Sequence, residues 1–530
     1  MKKIAIFFGC LLFLAPAVRA GWTGAIADRN ISLNTGPYQL AQYVRIASGP
    51  EGNLYCVWRQ GATMTGYELY FGRSTDQGVT WSSETADVMI NANDSQNVSD
   101  VGRKPLGIAT DSQGNIFIVW AEDLVAVQEI MLLKSTDEGV TWIHSDTDYN
   151  ISYDGAPAND AFDPDIAIDN NDNIFVVWHQ RPASDTSEIH ISLSTDAGNT
   201  WSGTSGDRYI SFRSSQIASN PDIAIAPNND IYVVWDEPAI QGNSNTDRIL
   251  YGKSTDGGAT FNSETADQPI SAQIRFSGDA IVVIDDSSKV HVTWQASLDS
   301  VPTFYYEIFY SGSSDGGATW SGLAGAQYVD FGPDDGSSAS DHGMGVTSGG
   351  CLVVVWHEQT INLSQTEIWA SYSTDGGLTW SGNDEPELIS FPDSRGAWRP
   401  DVVAGSGDTL HAVWNESPEP SGNNYYDIMY SKGDTLTFCS GGGGGCDYIE
   451  GDVNGSDSYN GLDITYGVAF FKGGPEPLCP DCPVGDCNSW HYCGDVNNSC
   501  SYNGLDITYG VAYFKGGAAP MPCDDCPPVN

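Results

Sequence analysis

Two stretches of this 530-residue chain space oxygen-bearing side chains as a cation site requires. GDVNGSDSYNGLDITYGVAFFKGG (451–474) nearly repeats as GDVNNSCSYNGLDITYGVAYFKGG (494–517). Each copy opens with D-x-N-x-S-x-S-x-N-x-x-D. Counting from the first Asp, position 1 is Asp452 or Asp495, position 3 is Asn454 or Asn497, and position 5 is Ser456 or Ser499. Position 7 offers the carbonyl of Ser458 or Ser501. Position 9, Asn460 or Asn503, can act through water, and position 12 is Asp463 or Asp506. Calcium takes about six to eight oxygens, and this spacing wraps them around one ion. The expected cofactor is therefore calcium, one ion per copy. Beyond position 12, Leu462, Tyr466, Ala469 and Phe470 recur at helical spacing, so each loop leads into a helix.

A second set of polar residues recurs elsewhere. Seven alternating apolar segments end in Trp, at Trp58, Trp120, Trp178, Trp235, Trp294, Trp356 and Trp414. Directly after them come Arg59-Gln60, Ala121-Glu122, His179-Gln180, Asp236-Glu237, Gln295, His357-Glu358 and Asn415-Glu416. A seven-fold arrangement would set these around the mouth of a central channel. Carboxylates facing each other there could serve as an acid/base pair. The alternative is a solvated strand end copied by duplication.

The elements that must position these residues are repeats. STDGGLTW (373–380) has five relatives: STDQGVTW (74–81), STDEGVTW (135–142), STDAGNTW (194–201), STDGGATF (254–261) and SSDGGATW (313–320). They recur about every 60 residues, a period that signals a propeller or an array. A seventh unit ends in SKGDTLTF (431–438), with Gly433 in place of the aspartate. Each unit reads as four short strands with Gly and Asn turns. In the third, DIAID (165–169), NIFVVW, EIHISLS (188–194) and RYIS (208–211) are those strands. Seven such units make a β-propeller. The last unit lacks an outer strand, and NISL (30–33) should supply it, so that the two ends of the domain share a blade. The turns after strands one and three are short, whereas the loops after strands two and four are long and varied. The working face should therefore lie opposite the Asp turns.

At these residues the chain resembles the sialidase-type, or BNR-repeat, propellers, whose Asp-box is S-x-D-x-G-x-T-W, over residues 22–438. The resemblance implies a structural Asp that caps its own turn and a Trp packed between blades. Turn chemistry agrees, since Asp bonds backbone two residues on. Catalytic members of that family have six blades, which is the alternative count. They clamp a substrate carboxylate with three arginines and use an early Asp, a Tyr and a Glu. Arg45 in YVRIAS (43–48) matches the first arginine, although Ala47 stands where the family has proline. Arg275, Arg395 and Arg399 are further arginines on the candidate face, and Tyr425 or Tyr426 a late tyrosine. Residues 60–75 contain no aspartate. The catalytic candidates are thus Arg45, Glu237, Arg275, Glu358, Arg399, Glu416 and Tyr425.

The duplicated loop-helix with Asp at position 12 resembles a type I dockerin over residues 447–530, an EF-hand-like calcium module. Ser at position 5 departs from the family's usual Asp and removes one charge per site. The resemblance implies a cohesin-like partner, with Gly461-Leu462 and Gly504-Leu505 among the residues that choose it. Nine of the twelve cysteines lie between Cys439 and Cys526, and structural disulfides are expected there. A calcium-free disulfide knot is the alternative. CSGGGGGC (439–446) reads as a flexible linker. Residues 1–20, with Lys2-Lys3, an apolar run and a small residue at Ala20, read as a secretory signal peptide, and no membrane span follows it. The chain is expected to be secreted. A net charge of −47 argues against nucleic acid and anionic membranes as partners.

The expected fold is thus all-β, a seven-bladed propeller plus a small α-helical tail. The expected function is recognition of an extracellular carbohydrate or other polymer, docked by the tail to an assembly. The rivals are a glycoside hydrolase of exo-sialidase-like type and a purely structural surface protein.

Overall fold

A computed structural model describes residues 22–23, 29–33, 40–61, 66–92, 96–99, 101–124, 127–152, 159–181, 186–202, 208–212, 217–238, 247–271, 275–297, 305–323, 325–331, 337–359, 365–383, 386–392, 395–417, 426–433, 453, 459, 461–472, 496, 502 and 504–515, with backbone alone at 275, 276 and 504. The chain divides into two compact units, Met1–Thr435 and Leu436–Asn530.

The first unit is a seven-bladed β-propeller, each blade an antiparallel sheet. The inner strands are Leu40–Ser48, Leu106–Thr110, Asp160–Ile168, Ser219–Ile225, Arg275–Ile284, Ser340–Val346 and Ala397–Ala404. Each pairs with a second strand that carries one of the seven tryptophans, all of them buried. These second strands are apolar on both faces, so each packs against both neighbouring blades, as Ile174, Val176 and Trp178 do on one side of blade 3 and Phe175 and Val177 on the other. Blade 4 keeps three strands, because Pro269, which has no N–H, meets Leu250 only as an isolated bridge.

The ends of the domain share blade 7. Arg29–Asn30 pairs with the third strand, Asp427–Gly433, at Tyr430 and Met429. Ile31 N–H then donates to Ile428 O at 2.8 Å, so NISL does complete the sheet. Arg29 also reaches blade 1, where it pairs with Glu84 and donates to Gly78 O. Arg208, in the outer strand of blade 3, does the same toward Gly258 and Glu264 of blade 4.

The six Asp turns are one structure repeated. In blade 1, Asp76 Oδ1 accepts Thr80 N–H at 2.8 Å and the Ser74 hydroxyl at 2.8 Å. Its Oδ2 accepts the Thr80 hydroxyl, and Ser74 Oγ accepts Gly78 N–H. The same bonds recur at Asp375. The threonine hydroxyl, then its N–H, holds Asp76, Asp256 and Asp315 down at about 2. The turn glycine sits at positive φ against an aromatic of the preceding blade. A Cβ at Gly377 would lie 2.1 Å from Tyr310, and one at Gly139 would lie 2.3 Å from Phe71. The turn Trp closes the same contact edge-on, as Trp380 does on Tyr310 and Trp81 on Tyr430.

In the second unit the described residues form two helices, Gly461–Phe470 and Gly504–Tyr513. They pack as a near-symmetric pair. Tyr459 stacks on Tyr513 and Phe470 on Tyr502. Gly467 and Gly510 leave room for the hydroxyls of Tyr502 and Tyr459. Of the tail cysteines, none falls within the described residues. In the propeller, Cys56 is free and buried, while Cys351 is disulfide-bonded.

Candidate functional site

Strand register places the two ends of each blade. Ser194, which opens the blade 3 Asp turn, faces Ile174 at the start of the second strand, whereas Phe162 faces His179 near that strand's end. The face opposite the Asp turns is thus built from the first residues of the inner strands.

There six of the seven inner strands carry a β-bulge, marked by a break in register between Phe162 and Asp165 and its equivalents. The bulge residue is left-handed in six blades: Tyr43, Asp163, Asn220, Asp279, Asp341 and Arg399, with φ from 43° to 56°. No glycine is used. Left-handed backbone at a non-glycine residue costs about 1–3 kcal/mol and collects where side chains must be aimed.

In five blades the residue directly after the strand-two Trp stands behind the bulge residue. Gln295 donates to Asp279 Oδ2 at 2.5 Å, and Asn220 donates to Asp236 at 2.8 Å. His179 lies 3.4 Å from Asp163, and His357 lies 3.7 Å from Asp341. Arg59 stacks over Tyr43. Burial pushes both histidines below their usual range, so they stay neutral.

The next residue along turns the other way. Glu237, Glu358 and Glu416 were expected at the channel mouth, but they lie inside the blades. Trp356 donates its indole N–H to Glu358 at 2.7 Å. Glu416 accepts from Trp414 and pairs with Arg395, and Glu237 pairs with Arg248. Side chains two apart on a strand share a face, so these residues follow the buried Trp.

Blade 2 breaks the pattern. Register puts Pro105 at its bulge position, and proline cannot take positive φ. The inner edge of the blade is split, with Asn97–Val98 and Leu106–Thr110 each pairing with the second strand, and residues 101–105 leave the sheet between them. Asp163 Oδ1 accepts the N–H groups of Arg103 and Lys104 at 2.6 and 2.8 Å. Lys104 Nζ donates to Asp222 Oδ1 at 2.7 Å, on blade 4, and to Ala280 O on blade 5. Arg103 pairs with Asp279 on blade 5.

The result is a cavity at the channel mouth lined by Tyr43, Arg45, Arg103, Lys104, Asp279, Asp341, His342 and Arg399. Arg45 lies 3.9 Å from Asp401, and Arg399 lies 3.7 Å from Asp341. Arg399 also stacks over Tyr43 at 4.2 Å. Burial raises Asp401, and it raises Asp165, where Asp222 adds to the effect. Burial pushes Asp279 up to about 7 even against Arg103, because Asp279 is buried while half of the Arg103 side chain is in solvent.

The structure thus brings Arg45 and Arg399 together, adds Arg103, Asp279 and Asp341, and leaves Glu237, Glu358 and Glu416 outside. Arg275 is described in backbone alone, at the start of the blade 5 inner strand, and Tyr425 lies outside the described residues. Of the expected calcium ligands, Asp463 and Asp506 are described. Both are 1% exposed in the first turn of their helices, and Asp506 Oδ1 accepts Val496 N–H at 3.1 Å. Asp452, Asn454, Ser456, Ser458, Asp495, Asn497, Ser499 and Ser501 lie outside the described residues. Among the described residues, no group of three or more His, Cys, Asp or Glu side chains is placed to hold a metal, and no helix is long and apolar enough to cross a membrane.

No protein-family model matches the chain, and neither does any curated protein. Among solved structures, an ulvan lyase described as a new family of polysaccharide lyase superposes with a TM-score of 0.51. It is 12% identical, over 77% of this chain and 95% of its own. A protein of unknown function from Dyadobacter fermentans DSM 18053 aligns at 14% identity, over 78% of this chain and all of its own, with a TM-score of 0.44. A Trypanosoma rangeli sialidase aligns at 12% identity, over 74% of this chain and 55% of its own, with a TM-score of 0.39. At such identity the likeness to the lyase shows a shared β-propeller fold.

Proposed function

We propose that the propeller recognises an acidic carbohydrate at the channel mouth and that the tail is a calcium-dependent docking module for a cohesin-like partner. One observation carries the first half. Arg45, Arg103, Lys104 and Arg399 line a single cavity in a chain with 22 basic and 69 acidic residues. The ion pairs of Arg45 and Arg399, at 3.9 and 3.7 Å, are longer than hydrogen bonds, so donors remain for a carboxylate or sulfate. The ulvan lyase with this fold has also been solved bound to the unit GlcA(1-4)Rha3S, with a TM-score of 0.50. The test is an array of acidic and neutral glycans probed with the full-length protein and with Arg45→Ala. Acidic glycans should bind, and the variant should lose them. Binding confined to neutral glycans, or none, rejects the reading.

For the tail, the supporting observation is that both position-12 carboxylates are buried. A buried carboxylate requires a cation or several donors. Asp452, Asn454, Ser456, Ser458 and Asp463 would hold one ion, and Asp495, Asn497, Ser499, Ser501 and Asp506 the other. Each ion would neutralise acidic oxygens that otherwise repel. Leu462 and Leu505, 69% and 68% exposed, stand beside these sites as a matched apolar pair for a partner. Calorimetric titration of the full-length protein with calcium should show binding that Asp463→Ala with Asp506→Ala abolishes, with the propeller's melting unaffected. No heat at millimolar calcium rejects the calcium site.

A further inference from the structure

We propose that Cys439, the first cysteine beyond blade 7, is the disulfide partner of Cys351, and that this bond closes the seam between blades 6 and 7 on the Asp-turn face.

Cys351 is disulfide-bonded and buried, directly before the second strand of blade 6, Leu352–Glu358. The other cysteine among the described residues, Cys56, is free. The partner therefore comes from Cys10 or from the nine cysteines between Cys439 and Cys526. Cys10 lies in the apolar run that reads as a signal peptide. Nine is odd, so these cysteines cannot all pair among themselves. Giving one to Cys351 leaves eight, which can.

Geometry selects among the nine. Leu352, next to Cys351, faces Ser373, which opens the blade 6 Asp turn. In blade 7 the third strand runs to Gly433, which faces Leu410 at the start of its own second strand, so Gly433 and Cys351 lie on the same face of the propeller. The two blades are already joined there. Trp22 bridges to Gly433 and donates its indole N–H to the Tyr372 hydroxyl of blade 6. Ser348, three residues before Cys351, donates its N–H and its hydroxyl to Asp408 of blade 7 at 2.8 and 2.9 Å. From Gly433 to Cys351 the path crosses the Trp22–Tyr372 pair and one strand spacing of about 4.8 Å. Cys439 is six residues beyond Gly433, and six residues span up to about 20 Å. Cys446 is thirteen residues beyond it, past five glycines, and the longer flexible loop costs more entropy to close. The seam also has a need for the bond. Blade 7 has Gly433 where the other six blades have the capping aspartate, and a covalent tie fixes the end that capping fixes elsewhere.

The bond forms by exchange with an external disulfide, as an oxidising compartment supplies. One cysteine thiolate attacks that disulfide, which gives a mixed disulfide and releases one thiol. The second thiolate then displaces the other half. Two protein thiols are oxidised, and one external disulfide is reduced to two thiols.

The test is non-reducing peptide mapping by mass spectrometry on the full-length exported protein, alkylated before digestion. A peptide pair joining Cys351 to Cys439 is expected. Cys351 alkylated, or joined to Cys446 or any later cysteine, overturns the assignment. Melting curves test the role in the seam. Cys439→Ser should lower the propeller's melting temperature by several degrees in the wild-type background and leave it unchanged in a Cys351→Val background, because one bond is lost only once. An equal drop in both backgrounds, or none in either, shows that the bond does not hold the seam.

Discussion

The two ends of each blade repeat in opposite ways. At the Asp turns the residues repeat: Ser, Asp, Gly and Thr recur with the same bonds. At the channel mouth the backbone repeats and the residues vary. One left-handed bulge carries Tyr, Asp, Asn, Asp, Asp and Arg in turn. The turn needs particular atoms in particular places, because its own N–H groups must be capped. The mouth needs only an aimed position, and each blade is free to present a different group there. Uniform chemistry marks scaffold here, and uniform geometry with varied chemistry marks the site.

The closing strand supports both ends of blade 7, so its loss should have the largest effect. Deleting residues 22–33 removes the pairing of Arg29–Asn30, exposes the edge of Asp427–Gly433 and extracts the buried Trp22. We expect aggregation or loss of cooperative unfolding. An unchanged calorimetric melt would show that the blade closes without it.

At the turn end, Gly377→Ala should be the most costly single change. Its φ is 87°, and the new Cβ would meet the Tyr310 ring. Overpacking costs about 1–3 kcal/mol and left-handed backbone about 1–2 more. Asp375→Ala should cost less, about 1–2 kcal/mol, as loss of a capping side chain does. Chemical denaturation gives both values, and the order should not reverse. Neither change should alter glycan binding at the opposite face. Lost binding in a well-folded Asp375→Ala variant would give the turn a direct role.

This difference also explains what the sequence disclosed. Seven Trp-ended segments and six Asp turns are periodic in residue type, so the blade count and the shared closing strand could be read directly. No one residue type fills the bulge positions, and Pro105 occupies the seventh, so composition alone does not reveal them. Strand alternation carried a usable signal. Glu237, Glu358 and Glu416 are two residues beyond a buried Trp and had to share its face, whereas His179, Asp236, Gln295 and His357 had to face the other way. Arg103 and Lys104 were invisible for another reason. They reach blades 4 and 5 only because the chain leaves blade 2 ahead of a proline, which is a tertiary event.

The smallest expected change in stability tests the mouth end, at Arg399. Its φ of 53° means that glycine would relieve strain of about 1–2 kcal/mol. Against this, glycine adds about 0.5–1 kcal/mol of backbone entropy cost, and the half-exposed pair with Asp341 contributes no more than about 1 kcal/mol. These nearly cancel, so Arg399→Gly should melt close to wild type. Arg399→Ala keeps the strain and loses the pair, and should be less stable than Arg399→Gly by about 1 kcal/mol. At residue 377 the same comparison of glycine with alanine should differ by several-fold more, because a ring also blocks the Cβ there. Binding should separate the two ends most clearly. Either change at Arg399 removes a charge-assisted donor worth about 1.5–3 kcal/mol, which is about 10-fold to 100-fold in affinity for an acidic glycan. The measurement is a melting curve and a binding isotherm for each variant. If Arg399→Gly binds as wild type does, Arg399 has no part in recognition. If it melts well below Arg399→Ala, the left-handed bulge carries no strain, and the contrast between an aimed mouth and a capped turn loses its energetic basis.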